Sequence, residues 1–371
     1  MEENMMEKKQ RSCNLDVIRI FAFLTVVGVH FFRETGLYGQ VVVWDVGVVS
    51  VFIRNFCMIC VPLFMLLSGY LLIDRTPCKA YYLKIFQTIG IYVLASLACT
   101  VYHTTFKSEP SSLKNCLVGI FSFKTAPYSW YVEMYLGFFL FIPFLNRMYN
   151  GNSKKTKERL ILIFLLLTAL PTVMNIWNLT SLSWWLNPAS SEDYTLLVPD
   201  AWAVLYPITY YFIGAYLREY PLKLRIRHGV LLLFGVTTIL CIFTVYRSHN
   251  AVFNSGIWAA YQSVAITVMS VLTFHCINRL NLTGVGKRGR AVLKHLSVWT
   301  LGAYLVSYIF DDTFYTYINA RRSYPPHRII YYPIVVAAVA VCSLLLSGIL
   351  NLIYGWIEKT VTKALARRNK K

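Results

Sequence analysis

The chain consists of long apolar runs separated by short polar segments. Runs of roughly 17 to 25 residues are long enough to cross a membrane as helices, and they occur at about 15–33, 48–73, 81–102, 127–146, 160–178, 201–217, 229–247, 256–278, 296–317 and 329–357. This pattern predicts an all-α, polytopic integral membrane protein with about ten transmembrane helices. We expect an N-terminal tail over residues 1–14, a transmembrane domain over residues 15–358 and a basic tail over residues 359–371.

The first apolar run contains Asp16, Arg19 and His30, which are costly in a membrane unless they face protein or water. His30 follows Arg19 by eleven positions, which at ~100° and ~1.5 Å per residue places both side chains on one helix face, roughly 16 Å apart. Asp16 lies close to the same face. The plain alternative is that Asp16 and Arg19 anchor the helix at the membrane surface and that His30 only packs and hydrogen-bonds.

Two later runs also carry informative residues. The run at 48–73 contains Pro62, which predicts a kink, and Ser68-Gly69, which permits close helix contact. The run at 127–146 contains Glu133, and an unpaired carboxylate in a membrane helix costs ~3 kcal/mol. We therefore expect Glu133 to face an inner cavity with a partner, with a structural ion pair to Arg54 as the alternative.

The placement of charge decides how the composition is interpreted. The 371 residues are 57% hydrophobic and 14% charged, with a net charge of +19. If the N terminus is cytoplasmic, 26 of the 36 lysines and arginines lie on the cytoplasmic side of a ten-helix topology. The basic charge therefore indicates topology and contact with anionic lipids rather than nucleic acid, and both termini are expected in the cytoplasm.

The loop at residues 179–200 lies on the opposite side and carries no lysine or arginine. Its acidic residues disfavour phosphates and suit neutral, hydroxyl-rich ligands. Trp184 and Trp185 could stack on sugars or belong to the aromatic belt at the membrane surface. The sequence contains no nucleophile elbow, zinc motif, P-loop or dinucleotide-binding glycine motif.

The ordered set of segments resembles membrane-bound acyltransferase family 3, which comprises bacterial O-acyltransferases of cell-surface glycans. The first run matches the signature D-x-x-R-x10-H through Asp16, Arg19 and His30. Four further segments match in the order of the family, at residues 62–72, 130–145, 211–216 and 297–306. The chain departs from the family pattern at two places. Ser307 stands where many members have histidine, and the basic cluster that follows the second matched segment has only Arg75, Lys79 and Lys84 as candidates.

The resemblance implies about ten spans, an acyl-coenzyme A donor reached from the cytoplasm and an acceptor near the outer face. It makes Arg19 and His30 the leading functional residues. Acetyl-coenzyme A is then a donor substrate, and we expect no bound cofactor or metal. The expected partners are membrane lipids, acyl-coenzyme A and an envelope glycan or lipid-linked acceptor in the cell membrane, with no nucleic acid.

The resulting hypothesis is O-acyl transfer, most simply of acetyl, from acyl-coenzyme A to a hydroxyl of a cell-envelope polysaccharide or lipid-linked glycan. His30 is the general base or a covalent acyl carrier, and Arg19 holds a donor phosphate or carbonyl, oriented by Asp16. The candidate catalytic residues are His30, Arg19 and Glu133, and the candidate substrate-binding residues are Asp16, Arg75, Lys84, Trp130, Tyr131 and Tyr304. The rival hypotheses are a transporter or flippase of a glycan or small polar solute, and a non-catalytic scaffold.

Overall fold

The computed structural model describes residues 12–43, 46–109 and 112–368. The α-helices of these residues are α1 (Cys13–Glu34), α2 (Val46–Cys57), α3 (Cys60–Leu72), α4 (Lys79–Tyr82), α5 (Ile85–Phe106), α6 (Leu113–Phe121), α7 (Trp130–Tyr149), α8 (Lys154–Thr168), α9 (Pro171–Met174), α10 (Leu182–Leu186), α11 (Tyr206–Glu219), α12 (Ile226–Ser248), α13 (Val264–Asn278), α14 (Lys287–Arg321) and α15 (Tyr332–Arg368). Short 3₁₀ helices lie at Leu37–Gly39, Pro188–Ser190, Ala201–Leu205, Ile257–Ala259 and Pro325–Tyr331. In these residues β pairing is limited to two isolated bridges. The predicted all-α fold class is therefore confirmed.

Six segments of the described chain are long and apolar enough to cross a membrane: Cys13–Gly39, Gly47–Leu72, Lys79–Phe106, Ile226–Ser248, Ile257–Asn278 and Pro325–Ala364. The other four predicted runs coincide with α7, α8 with α9, α11, and α14. Of these, α11 has 14 residues, which extend about 21 Å and fall short of a hydrocarbon core of roughly 30 Å. The count of about ten spans stays a prediction.

The kink predicted from Pro62 divides the second run into two helices. α2 ends at Cys57 and α3 begins at Cys60, with a turn at Met58 and Ile59. Proline has no N–H, so Pro62 cannot donate a helical hydrogen bond to the carbonyl of Met58 four residues earlier. The break between α2 and α3 therefore lies at the residue whose carbonyl lacks this helical hydrogen bond.

α3 and α11 pack against each other at two glycines. A Cβ atom on Gly69 would collide with the backbone carbonyl of Tyr211, and one on Gly214 would collide with that of Leu66. The close helix contact predicted at Gly69 is confirmed, and Gly214 is its counterpart on α11. Small residues allow membrane helices to approach in this way.

α1 lies at the centre of the fold, in contact with α2, α3, α13, α14 and α15. Its residues Ile18, Ala22, Phe23 and Val27 are fully buried. Because α1 also carries Arg19 and His30, the surrounding helices hold both side chains inside the protein.

The two predicted tails are only partly described. α1 begins at Cys13, inside the predicted N-terminal tail, and residues 1–11 of that tail lie outside the described residues. α15 continues through the predicted boundary at residue 358 as far as Arg368, and residues 369–371 lie outside the described residues. The domain boundaries and the side of the membrane on which each terminus lies stay predictions.

Candidate active site

A cavity of about 520 Å³ lies beside α1, and both Arg19 and His30 line it. Its walls come from α1, α3, α5, α7, α14 and α15, with Tyr38 added from the 3₁₀ helix Leu37–Gly39 and Tyr261 from a turn. The two residues are eleven positions apart on one helix, so the cavity follows α1 for about 16 Å. The structure therefore places them on the shared inner face that the sequence predicts, while their chemical roles stay predictions.

His30 forms a buried pair with Asp311 of α14. His30 is 9% exposed, and its Nδ1 lies 3.2 Å from Oδ2 of Asp311. The hydroxyl of Tyr128 donates to the same Oδ2 at 2.9 Å, and its ring lies against the imidazole with centroids 3.9 Å apart. In the tautomer that carries its proton on Nδ1, His30 donates a hydrogen bond to Oδ2 of Asp311, which leaves the Nε2 lone pair free to act as a base.

Asp311 is fully buried, and its Oδ1 has no hydrogen-bond partner among the described residues. It follows Ser307 by one helical turn, so both lie on the same face of α14. The Ser307 Oγ donates to the carbonyl of Tyr304 at 2.9 Å, and Ser307 is not one of the cavity-lining residues. Asp311 was not among the candidate site residues predicted from the sequence.

Arg19 is held at the cavity wall by α14. Its Nη1 donates to the Ser297 Oγ at 3.1 Å, and Ser297 also lines the cavity. Asp16, almost one turn before Arg19, is 4% exposed and is not one of the residues that line the cavity. The structure therefore gives Arg19, but not Asp16, a place where it could touch a substrate directly.

Three predicted aromatic residues, Trp130, Tyr131 and Tyr304, line the cavity. The rings of Tyr131 and Tyr304 meet edge to face at 6.1 Å, and Trp130 stacks on Tyr261 at 6.1 Å. Tyr304 also donates to the carbonyl of Tyr128, the residue that contacts His30. These rings form a continuous aromatic wall next to the imidazole.

Neutral polar side chains complete the wall, and none of them was among the candidate site residues predicted from the sequence. They are Ser68, Gln87, Thr88, Ser297, Thr300 and Asn351. Because Ser297 is the partner of Arg19, this polar set includes the Arg19 end of the cavity. Hydroxyl and amide groups of this kind can bind the amide groups of an extended ligand.

The inward orientation expected for Glu133 is wrong. Glu133 is exposed and is not one of the cavity-lining residues, whereas Tyr131 and Tyr135 line the cavity from the same helix. A shift of two positions turns a helical side chain by about 200°, so Glu133 lies on the opposite face of α7. The alternative pairing with Arg54 is not observed either, because the described hydrogen bonds of Arg54 go to Tyr38, Asn55 and the carbonyl of Ala259.

Two further predicted substrate-binding residues lie outside the cavity. Arg75 is exposed and lines a smaller depression of about 230 Å³ together with Arg147. Lys84 is exposed at the start of α5. The structure therefore brings neither side chain to the wall shared by Arg19 and His30.

The tryptophans of the loop at residues 179–200 differ in their surroundings. Trp184 is buried, and Cζ of Arg247 lies 4.7 Å from its ring. Trp185 is 46% exposed and stacks on Trp177 with centroids 5.8 Å apart. Trp184 is therefore not available to stack on a sugar, and the two alternatives stay open for Trp185 alone.

Across residues 12–43, 46–109 and 112–368, no group of three or more His, Cys, Asp or Glu side chains could hold a metal ion. The site instead presents a carboxylate-oriented imidazole and a guanidinium along one cavity. This arrangement can transfer protons at the His30 end and bind negative charge at the Arg19 end.

Comparison with known sequences identifies the family. The family model described as "Acyltransferase domain" matches residues 14–348. No curated protein and no solved structure matches the chain at a significant level. The matched region covers most of the chain and contains Arg19, His30 and Asp311. It supports acyl transfer and does not favour the transporter hypothesis. The chain belongs to acyltransferase family 3.

Proposed function

We propose that this protein is a membrane O-acyltransferase that moves an acetyl group from acetyl-coenzyme A to a hydroxyl of a cell-envelope polysaccharide or lipid-linked glycan. The observation that carries the proposal is the shared cavity of Arg19 and His30, with His30 hydrogen-bonded to the buried Asp311. A base and a cation along one water-accessible space are what a thioester donor and a hydroxyl acceptor require.

His30 removes the proton from the attacking hydroxyl. With the imidazole proton on Nδ1, facing Asp311, Nε2 accepts the hydroxyl proton while the hydroxyl oxygen bonds to the thioester carbonyl carbon. The carbon–sulfur bond then breaks, and the proton passes from Nε2 to the leaving thiolate. An acyl-imidazole intermediate on His30 would use the same Nε2 and the same Nδ1 proton.

The Arg19 end of the cavity suits the donor. Coenzyme A carries its phosphates at one end and its thioester at the other, joined by a pantetheine chain with two amide groups. Arg19 can pair with a phosphate oxygen, and the neutral polar side chains around Ser297 can bind the amides. The thioester then extends along the cavity toward His30, about 16 Å further along α1.

The acceptor then enters from the His30 end. Trp130, Tyr131 and Tyr304 provide aromatic faces and hydroxyl groups next to the imidazole, as sugar rings require. The distribution of basic residues supports an orientation in which the Arg19 end faces the cytoplasm and the His30 end faces the outer side of the cell membrane. Acetyl groups would therefore be taken up on one side and delivered on the other.

The test is transfer of labelled acetyl from acetyl-coenzyme A to an envelope glycan fraction by the purified protein. The fraction is prepared from cells that lack the gene, so that its acceptor hydroxyls are free. Wild-type protein is expected to transfer label, and His30→Ala is expected to lose at least 100-fold in rate. His295→Ala is the matched control, because His295 is exposed on α14 and does not line the cavity.

Separate outcomes exclude the proposal or parts of it. Full activity of folded His30→Ala protein would remove His30 from the mechanism. Labelled acetyl that remains on coenzyme A, together with movement of a glycan across vesicles, would instead identify a transporter. A rapid-quench experiment that traps acetyl on His30 before the acceptor is added would select the covalent route over direct transfer.

A further inference from the structure

Arg33 lines the same cavity and lies next to the proposed base. It follows His30 by three positions on α1, so the two side chains are neighbours on one face. Cζ of Arg33 lies 5.0 Å from the centre of the Tyr128 ring, and the imidazole of His30 lies 3.9 Å from the same centre. Cζ of Arg33 and the centre of the His30 imidazole are therefore no further apart than the sum of these two distances.

Two nitrogens of the Arg33 guanidinium are available to donate hydrogen bonds to a ligand. Its Nε donates to Oε1 of Glu34 at 2.9 Å, and neither Nη1 nor Nη2 forms a hydrogen bond within the described residues. The side chain is 55% exposed, so a ligand in the cavity can reach these nitrogens. Its contacts with Glu34 and the Tyr128 ring orient the guanidinium before the reaction, so that it is preorganised for a charge that forms only in the transition state.

Arg19 cannot supply a positive charge at the His30 end. The two residues are roughly 16 Å apart along the helix, which is more than the length of an arginine side chain. A carbonyl close enough to be attacked beside Nε2 of His30 is therefore out of reach of Arg19. Arg33 is the cavity-lining cation on the correct side.

From this geometry we infer that Arg33 is a catalytic residue of the proposed transfer reaction, whose guanidinium stabilises the oxyanion formed when a hydroxyl attacks the thioester carbonyl beside His30. In this step the hydroxyl oxygen bonds to the carbonyl carbon, the hydroxyl proton goes to Nε2, and the electron pair of the C=O bond moves to the carbonyl oxygen. The negative oxygen accepts hydrogen bonds from Arg33. When the oxyanion collapses, the C=O bond re-forms and the thiolate leaves with the proton from His30.

The inference rests on the proposed function and is tested with two donors and two acceptors. The donors are acetyl-coenzyme A and S-acetylpantetheine, which lacks the nucleotide and its phosphates. The acceptors are the envelope glycan fraction and water, whose attack gives slow hydrolysis. An oxyanion forms in all four combinations, so loss of its stabilisation must appear in all four.

The expected result is a fall in kcat of about 10²- to 10³-fold for Arg33→Gln in every combination, with the KM for acetyl-coenzyme A changed by less than about threefold. Arg33→Lys keeps the charge but loses the paired donors of the guanidinium. Its kcat is expected to lie between that of the wild type and that of Arg33→Gln. Arg321→Gln is the matched control, because Arg321 is exposed at the far end of α14, packs on Tyr317 and does not line the cavity. Thermal unfolding of each variant verifies that it is folded.

Several results would overturn the inference. A defect that disappears when water is the acceptor would make Arg33 an acceptor-binding residue. A defect confined to KM, or one that disappears with S-acetylpantetheine, would make it a contact for the donor phosphates. Transfer by Arg33→Gln at the wild-type rate would exclude Arg33 alone, whereas absence of transfer by the wild type would overturn the proposed function together with this inference.

Discussion

His30 and Asp311 pair across the centre of the fold although 281 positions separate them in the chain. The pair joins α1 to α14, two helices in extensive contact. Burying either side chain alone in an apolar environment would be energetically unfavourable, because a buried carboxylate and a buried imidazole each need a hydrogen-bond partner. Their contact satisfies both requirements and orients the imidazole within the cavity.

Replacing Asp311 by Asn should lower acetyl transfer by at least about 100-fold with little change in KM. The amide can accept or donate toward Nδ1, so it no longer fixes the proton there and the wrong tautomer of His30 becomes populated. Asp312→Asn is a control at the neighbouring position, since Asp312 contacts Tyr102 and Lys107 instead of His30. Equal losses in both variants would argue against a specific role of Asp311.

Tyr128→Phe should have a smaller effect, of about 3- to 10-fold on kcat. The substitution removes one hydrogen bond to Oδ2 of Asp311, worth roughly 1 kcal/mol, but keeps the ring that contacts the imidazole. Tyr308→Phe is the matched control, because Tyr308 meets the Tyr128 ring edge-on at 5.9 Å. A loss as large as that of Asp311→Asn would show that the hydroxyl itself takes part in proton transfer.

The sequence predicted the part of the site that lies on one helix. Helical periodicity alone placed Arg19 and His30 on a common face, and the cavity follows that face. Pro62 and Gly69 were equally local signals, one for a missing hydrogen bond and one for a missing side chain. Each could be interpreted without knowing the rest of the fold.

The contacts between helices were not predicted. Nothing in the sequence around Asp311 indicates that its partner lies on α1. The sequence therefore shows a carboxylate in an apolar run but does not predict its pairing with His30. Glu133 shows the opposite error. It lies in the first turn of α7, where the helix dipole stabilises a negative charge, so it needs no partner inside the bundle.

Alanine at Gly69 or Gly214 should destabilise the protein by about 1–3 kcal/mol, because either Cβ would push α3 and α11 apart. Gly137→Ala is the matched control, since a Cβ at this position in α7 meets nothing within 4 Å. Thermal unfolding in detergent, followed by intrinsic fluorescence, measures the difference. Equal unfolding temperatures of all three variants would contradict the close contact.

Arg247 should be required for the fold of the loop at residues 179–200. It is 1% exposed, and its Cζ lies 4.7 Å from the Trp184 ring, 4.8 Å from that of Trp258 and 5.0 Å from that of Tyr194. Its Nη1 donates to the carbonyl of Ile176 at 2.8 Å. The guanidinium therefore fills the space between three rings and joins α12 to this loop.

Arg247→Met keeps most of the volume but removes the charge and the hydrogen bond. We expect it to cost about 2–4 kcal/mol, because the carbonyl of Ile176 loses its donor and the rings lose their cation. The loop should then become a protease-sensitive site, which limited proteolysis with mass spectrometry detects. Arg227→Met provides the control, since Arg227 is exposed in the first turn of the same helix, and it should be cleaved no faster than the wild type. Unchanged proteolysis of Arg247→Met would mean that the loop is held by its own contacts, such as those of Asn175 to Leu197 and Val198, and not by the arginine.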